Sequence, residues 1–216
     1  MTVARTRIKF CGLTHVADVA AAVGAGADAL GFNLFEGSRR FVSPDSLEVL
    51  TRAVPAFVVR VGVLVNPDRA LVSAVLSHLE LLQFHGDETA EFCASFGRPY
   101  MKAVRVASTS DALPLARMYP DARAILIDKL SVKQGEGVVY GGSGETMTWE
   151  RVVSKTPMVL AGGLDPDNVG AAISTVRPFA VDVASGIEHK DETAGRKSTE
   201  AMNDFIAAVR QADMEN

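Results

Sequence analysis

Short apolar runs alternate with amphipathic stretches along nearly the whole chain. Arg7–Cys11 reads as a buried strand, followed by a helix in which Val16, Val19, Ala20 and Val23 recur at helical spacing. Ala27–Asn33 is the next strand, and Ser43-Pro44-Asp45 opens a second helix with Ser43 as its cap and proline in the first turn. The valine-rich Phe57–Asn66 precedes a helix whose apolar face carries Val72, Val75, Leu76 and Leu79, after which Leu79–Phe84 returns to strand. Tyr100–Val106, Ala122–Asp128, Pro157–Ala161 and Phe179–Val183 continue the series, each with a helical stretch after it. Met202, Phe205, Ile206 and Val209 form the stripe of a terminal helix that docks on the sheet, with Gln211–Asn216 expected to fray. This α/β series of roughly eight β/α units fits a closed barrel or an open doubly wound sheet, and periodicity does not separate them.

Composition narrows the classes. A chain of 216 residues, 48% hydrophobic and 22% charged, is expected to form one domain over residues 1–216 with a large core. A formal net charge of -4 supplies no broad basic surface, so no nucleic-acid partner is expected and any bound anion must be gripped locally. Cys11 and Cys93 are far apart and lack metal-ligand spacing, which points to neither a disulfide framework nor a zinc site and fits a reducing, cytoplasmic compartment. The start of the chain has no apolar signal core, and no run approaches the ~18 apolar residues of a membrane helix. His15, His78 and His189 are scattered and are assigned to no metal, while Cys93, in the helical run Glu88–Phe96, reads as packing. Without a hydrophobic tail or heptad repeat, a monomer is expected rather than a homodimer.

The chemistry gathers just after strands, where barrels and open α/β sheets both place ligands. Lys9-Phe10-Cys11-Gly12-Leu13-Thr14 ends the first strand on a thiol, which reads as a base or nucleophile assisted by nearby cations, or as a buried inert cysteine. Ile125-Leu126-Ile127-Asp128 ends an apolar strand on a carboxyl group. A carboxyl desolvated there favours its acid form and can donate a proton to a leaving oxygen; the alternative is a cap or a loop ion pair. Gly162-Gly163 and Ser185-Gly186 follow the last two strands and expose main-chain amides. With a short helix starting near Ser185, the two loops together point to a phosphate site, although either alone reads as a tight turn.

Taken in order, the blocks resemble one family, the phosphoribosylanthranilate isomerases. Lys9–Thr14 is similar to that family's opening signature, and Gly31-Phe32-Asn33, Ser38-Arg39-Arg40-Phe41, Val61-Gly62-Val63, Gln83-Phe84-His85-Gly86-Asp87, Gly141-Gly142-Ser143-Gly144 with Trp149, Leu160–Asn168 and Val181–Glu188 follow collinearly. The resemblance spans nearly the whole chain and implies a single (β/α)8 TIM barrel. It also implies an Amadori rearrangement of a phosphorylated aminosugar with no cofactor. It implies Asp128 as the general acid that protonates the ring oxygen and Cys11 as the general base that takes the proton from sugar C2. Arg40 resembles the residue that holds the anthranilate carboxylate, with Arg39 as a possible substitute; Gly162, Gly163, Ser185 and Gly186 resemble main-chain phosphate ligands. His85 is read as shaping the site rather than moving protons.

The chain departs from the family pattern at Phe84, Thr148, Ala184 and in Gly195-Arg196-Lys197-Ser198, none of which touches the proposed acid or base. The glycine-rich Ser131–Gly144 reads either as a mobile loop over the site or as a plain connection. Two rival readings fit the same residues. A sister sugar isomerase of histidine synthesis has a carboxylate where Cys11 stands, and a catalytically silent barrel would keep the glycine loops without the acid and base pair.

Overall fold

The structure, a computed structural model, describes residues 5–130, 147–190 and 195–215. Eight parallel strands follow one another around a closed barrel: β1 (Arg7–Cys11), β2 (Ala29–Asn33), β3 (Val59–Leu64), β4 (Leu81–Phe84), β5 (Tyr100–Val106), β6 (Ala124–Lys129), β7 (Met158–Leu160) and β8 (Ala180–Val183). Pairing of β1 with β8, from Arg7↔Ala180 to Phe10↔Val183, closes the ring and excludes the open sheet. Each expected strand is present; β1 and β5 keep their expected bounds, β6 is shifted to run on through Lys129, and the others are trimmed at their ends. At β3 the trimming has a visible cause, because Phe57 (φ 71°) and Asn66 (φ 45°) take left-handed conformations that extended backbone does not continue through.

The helices α1 (Val16–Ala25), α2 (Pro44–Arg52), α3 (Arg69–Val75), α4 (Ala90–Ala94), α5 (Ala112–Ala116), α6 (Val169–Val176) and α7 (Thr199–Glu215) clothe the barrel. Ser43 caps α2 as expected, its side chain accepting the Ser46 amide at 3.2 Å. The stripe Val72, Val75, Leu76, Leu79 is split. Here α3 ends at Val75 and a 3₁₀ turn, Leu76–His78, delivers the buried Leu79 to the entrance of β4. The helix expected after β6 is not found among the described residues: 147–157 is irregular, bound to the loop after β5 by the Ser108↔Thr148 bridge and by Thr109 bonds to Glu150. Ser131–Gly144, including the Gly141–Gly144 block, lies outside the described residues.

Fraying of the C-terminus is also corrected. Helix α7 continues to Glu215, Ala212 is buried, and Asp213 accepts both the amide and the hydroxyl of Thr6 at 2.9 and 2.6 Å, tying the last helix to the start of β1. Among the described residues no helix is long and apolar enough to cross a membrane.

Two apolar layers position the site. The larger lies between strands and helices; Cys93 is fully buried in it, as read from the sequence. A smaller one fills the barrel lumen with Met101, Ala103, Ala124, Leu126, Val159 and Ala161. Side chains alternate faces along a strand, so the inward face of Ala124 and Leu126 continues to Asp128, and that of Ala180 to Asp182. The apolar floor therefore ends in a ring of polar groups at the C-terminal mouth.

Candidate active site

At that mouth lies a cavity of about 290 Å³, lined by Cys11, Asp128, Arg40, His85, Gly162, Gly163 and Ser185. Seven of the eight residues expected from sequence thus meet in one place. The eighth, Gly186, faces the neighbouring groove beside Ser185.

Cys11 is nearly buried, and its neighbours follow from register. Lys9 precedes it by two residues on the same strand face, and Lys9 pairs with Asp182 across the β1–β8 seam. The Lys9 ammonium lies 2.7 Å from the Asp182 carboxylate, both buried, and hydrogen-bonds the Cys11 side chain. On the other side Cys11 faces Gly31, where a Cβ would stand 2.7 Å from Sγ and 3.0 Å from Lys9 Nζ. Glycine at 31 is what lets thiol and ammonium share that space. Burial pushes the Cys11 thiol above its ordinary pKa; Lys9 pulls it down, Asp182 pushes it up, and Lys197 adds a second downward pull. For Lys9 itself burial works against the charge, but Asp182 and Cys11 hold its pKa above the ordinary lysine value.

Asp128, across the barrel on β6, accepts the Lys129 amide at Oδ1 (2.9 Å) and meets His85 Nε2 at Oδ2 (3.1 Å). Gln83 Nε2 lies 3.1 Å from His85 Nδ1. With the Gln83 amide donating, His85 carries its proton on Nε2 and donates to the Asp128 carboxylate. Turning the amide end for end reverses both bonds and receives the acid form instead; as placed, Gln83 Oε1 is buried with no partner among the described residues. The loop that carries His85 is itself anchored: buried Lys102 donates to Gly86 O (2.6 Å) and Glu88 (3.0 Å), and Glu88 accepts the Asn66 and Gly86 amides. Lys102 and Glu88 are missing from the sequence reading because neither sits in a strand-end motif.

Arg40 extends over Gly12, whose missing Cβ leaves room for the arginine methylenes. Its Nε donates to Glu188 Oε1 at 2.5 Å, and Arg39 reaches Oε2 of the same carboxylate at 2.6 Å.

The two glycine loops after β7 and β8 are in contact. Gly162 and Gly163 take φ of 82° and 72°, and a Cβ at Gly162 would lie 2.8 Å from Asp128 Oδ1, so that turn is possible only without a side chain. Gly186 abuts the main chain of Leu164 and Asp165, which gives it a packing reason as well. Ser185–Ile187 forms the expected short helical turn, whose first amides have no partner within the turn.

The departures from the family pattern are accommodated locally. Phe84 faces away from the lumen among Phe92, Phe96 and Tyr100, with ring centroids about 6 Å away. Ser198 accepts the Ala201 amide at 3.2 Å at the start of α7 and so fills a capping role. Ala184 contributes its carbonyl to Lys197 Nζ at 2.8 Å, a bond that needs no particular side chain at 184.

Comparison with known proteins adds a separate line of evidence. Residues 8–208 match the family described as N-(5'phosphoribosyl)anthranilate (PRA) isomerase. The N-(5'-phosphoribosyl)anthranilate isomerase of Dechloromonas aromatica is 44% identical over 213 residues, covering 97% of this chain and 98% of its own. A solved phosphoribosyl anthranilate isomerase in complex with reduced 1-(o-carboxyphenylamino)-1-deoxyribulose 5-phosphate is similar with a TM-score of 0.76 and 32% identity, covering 95% of this chain and 99% of that one. A monomeric form of the dimeric enzyme from Thermotoga maritima gives a TM-score of 0.75 and 31% identity over the same shares.

Proposed function

Because the chain belongs to the phosphoribosylanthranilate isomerase family, enzymes of tryptophan biosynthesis, we propose that it converts N-(5-phosphoribosyl)anthranilate to 1-(2-carboxyphenylamino)-1-deoxyribulose 5-phosphate with Asp128 as acid and Cys11 as base. Asp128 gives its proton to the furanose ring oxygen as the C1–O bond breaks, leaving an open-chain iminium. The Cys11 thiolate then removes the C2 proton, the electron pair neutralises the iminium as an enaminol, and tautomerisation places a proton on C1 and a ketone at C2. No electrons are gained or lost overall, and the reading calls for no cofactor or metal.

The observation that carries this reading is that one cavity is lined by a thiol on β1 and a carboxyl group on β6, each with its own hydrogen-bond partner. Gly162, Gly163, Ser185 and Gly186 would hold the phosphate through main-chain amides, and Arg40 the anthranilate carboxylate through its planar guanidinium. His85 orients Asp128 rather than entering the proton count. The test is conversion of freshly prepared phosphoribosylanthranilate, followed by loss of anthranilate fluorescence, by purified protein in chelator. Absence of turnover alongside saturable product binding would replace the reading with a silent phosphate-binding barrel. Turnover only of the aminosugar from histidine synthesis would replace it with the sister isomerase.

A pH prediction follows from the Cys11 environment. Only the thiolate is a base, and burial holds the folded thiol above its ordinary pKa, so the limb for Cys11 ionisation, read as thiolate absorbance of the free enzyme, should lie on the alkaline side of an ordinary thiol. Lys9→Met removes the largest influence favouring thiolate. It should move that limb further alkaline and cut the neutral-pH rate about tenfold or more. A limb that stays in place would remove Lys9 from the account.

We take residues 1–216 as one unit, acting as a cytoplasmic monomer. Both cysteines are free, as a reducing compartment would leave them. Sedimentation at working concentration tests the monomer.

A further inference from the structure

Outside the acid and base, the densest group of charges at the mouth is built around Glu188. Its Oε1 receives Arg40 Nε at 2.5 Å and Lys197 Nζ at 3.1 Å, and its Oε2 receives Arg39 at 2.6 Å. The Lys197 and Glu188 side chains are almost completely buried, at 0% and 6% exposure, whereas Arg39 is half exposed. Main-chain pairing sets the arrangement: Glu188 bridges antiparallel to Lys197, and Ser198 N donates to Ile187 O at 2.9 Å. Lys197 also donates to the carbonyl of Ala184, the residue before the Ser185 turn.

This cluster has two features that structural ion pairing alone does not require. Three cations meet one carboxylate, which leaves two positive charges in excess beside the cavity. Glu188 also engages Arg40 through Nε, and Arg40 Nη2 is buried with no partner among the described residues. A guanidinium held by its inner nitrogen, with an outer donor unused, is prepared for a second carboxylate. Burial works to raise the Glu188 pKa, but Arg40 and Lys197 keep it below the ordinary carboxylate range, so the anchor stays charged. The Lys197 pKa is lowered by burial, against the pull of Glu188.

We propose that Glu188, seated on Lys197, is a positioning residue that sets the Arg40 guanidinium for the ring carboxylate of the substrate, and so gives the enzyme its selectivity for an ortho-carboxyl aromatic amine. The proposal rests on the Arg40 reading above. Glu188 is not among the residues that line the cavity of Cys11 and Asp128; it holds the arginine stem so that binding does not have to order it.

The test is calorimetric binding of two ligands, the reduced carboxyphenylamino deoxyribulose phosphate and its phenylamino counterpart lacking the carboxylate. The wild-type protein should prefer the first by about 10- to 100-fold, the range of a charge-assisted bond. Arg40→Gln should erase the preference. Glu188→Gln should shrink it about tenfold while binding of the phenylamino ligand changes little, with KM rising by a larger factor than kcat falls. Glu188→Asp, which keeps the charge but shortens the anchor, should recover part of it and guards against a fold defect in the amide variant. If Arg40→Gln leaves the preference intact, the Arg40 reading falls and this proposal with it. If Arg40→Gln erases it and neither Glu188 variant alters it, only the positioning role is overturned.

Discussion

Cys11→Ser should lower kcat by about 10²–10⁴-fold while the dissociation constant of the reduced product analogue changes by no more than about threefold. The substitution is close to isosteric, so Gly31 still faces a small side chain and Lys9 keeps its ion pair with Asp182. What changes is acidity. A hydroxyl beside the same ammonium is a far weaker acid than a thiol and supplies almost no anion to take the C2 proton. Single-turnover rates with calorimetric binding separate the two quantities, and near-normal turnover would sink the assignment of Cys11 as base.

Asp128→Asn should cost a comparable 10²–10⁴-fold, roughly, for the complementary reason that an amide has no acidic proton for the ring oxygen. Asparagine keeps the shape beside Gly162, and its carbonyl can still accept the Lys129 amide. The loss therefore reports the missing proton rather than a displaced loop. His85→Asn provides the comparison. If His85 only orients the carboxyl group, its removal should cost about tenfold, well below the loss at Asp128. Equal losses at both positions would make His85 a participant in the proton transfer.

Much of the site was legible in the sequence because its residues stand at the ends of strands. Cys11, Asp128, Gly162 and Ser185 each follow an apolar run of period-two or fully buried type, and such runs can be read locally. The same logic could have found Lys9, two residues before Cys11 on the same strand face. It could not have found Glu88 and Lys102, which are charged residues in unremarkable sequence, nor the role of Gly31, which depends on what the neighbouring strand places opposite it.

The sequence by itself determined the order of strands and most helices and the chemistry at the strand ends. All of these depend on residues within a few positions of one another. Closure was implied by the family resemblance though not by periodicity, while only the tertiary structure decided the register of the β1–β8 seam, the continuation of α7 to Glu215 and the partners of the buried charges. Closure rests on β1 meeting β8, α7 is held at its end by Thr6 and Asp213, Lys9 finds Asp182, and Arg40 finds Glu188. A local pattern carries no information about which distant carboxylate will face a given cation. Burying an unpaired charge is costly, so these pairings are set only when the ring closes and removes both partners from water together.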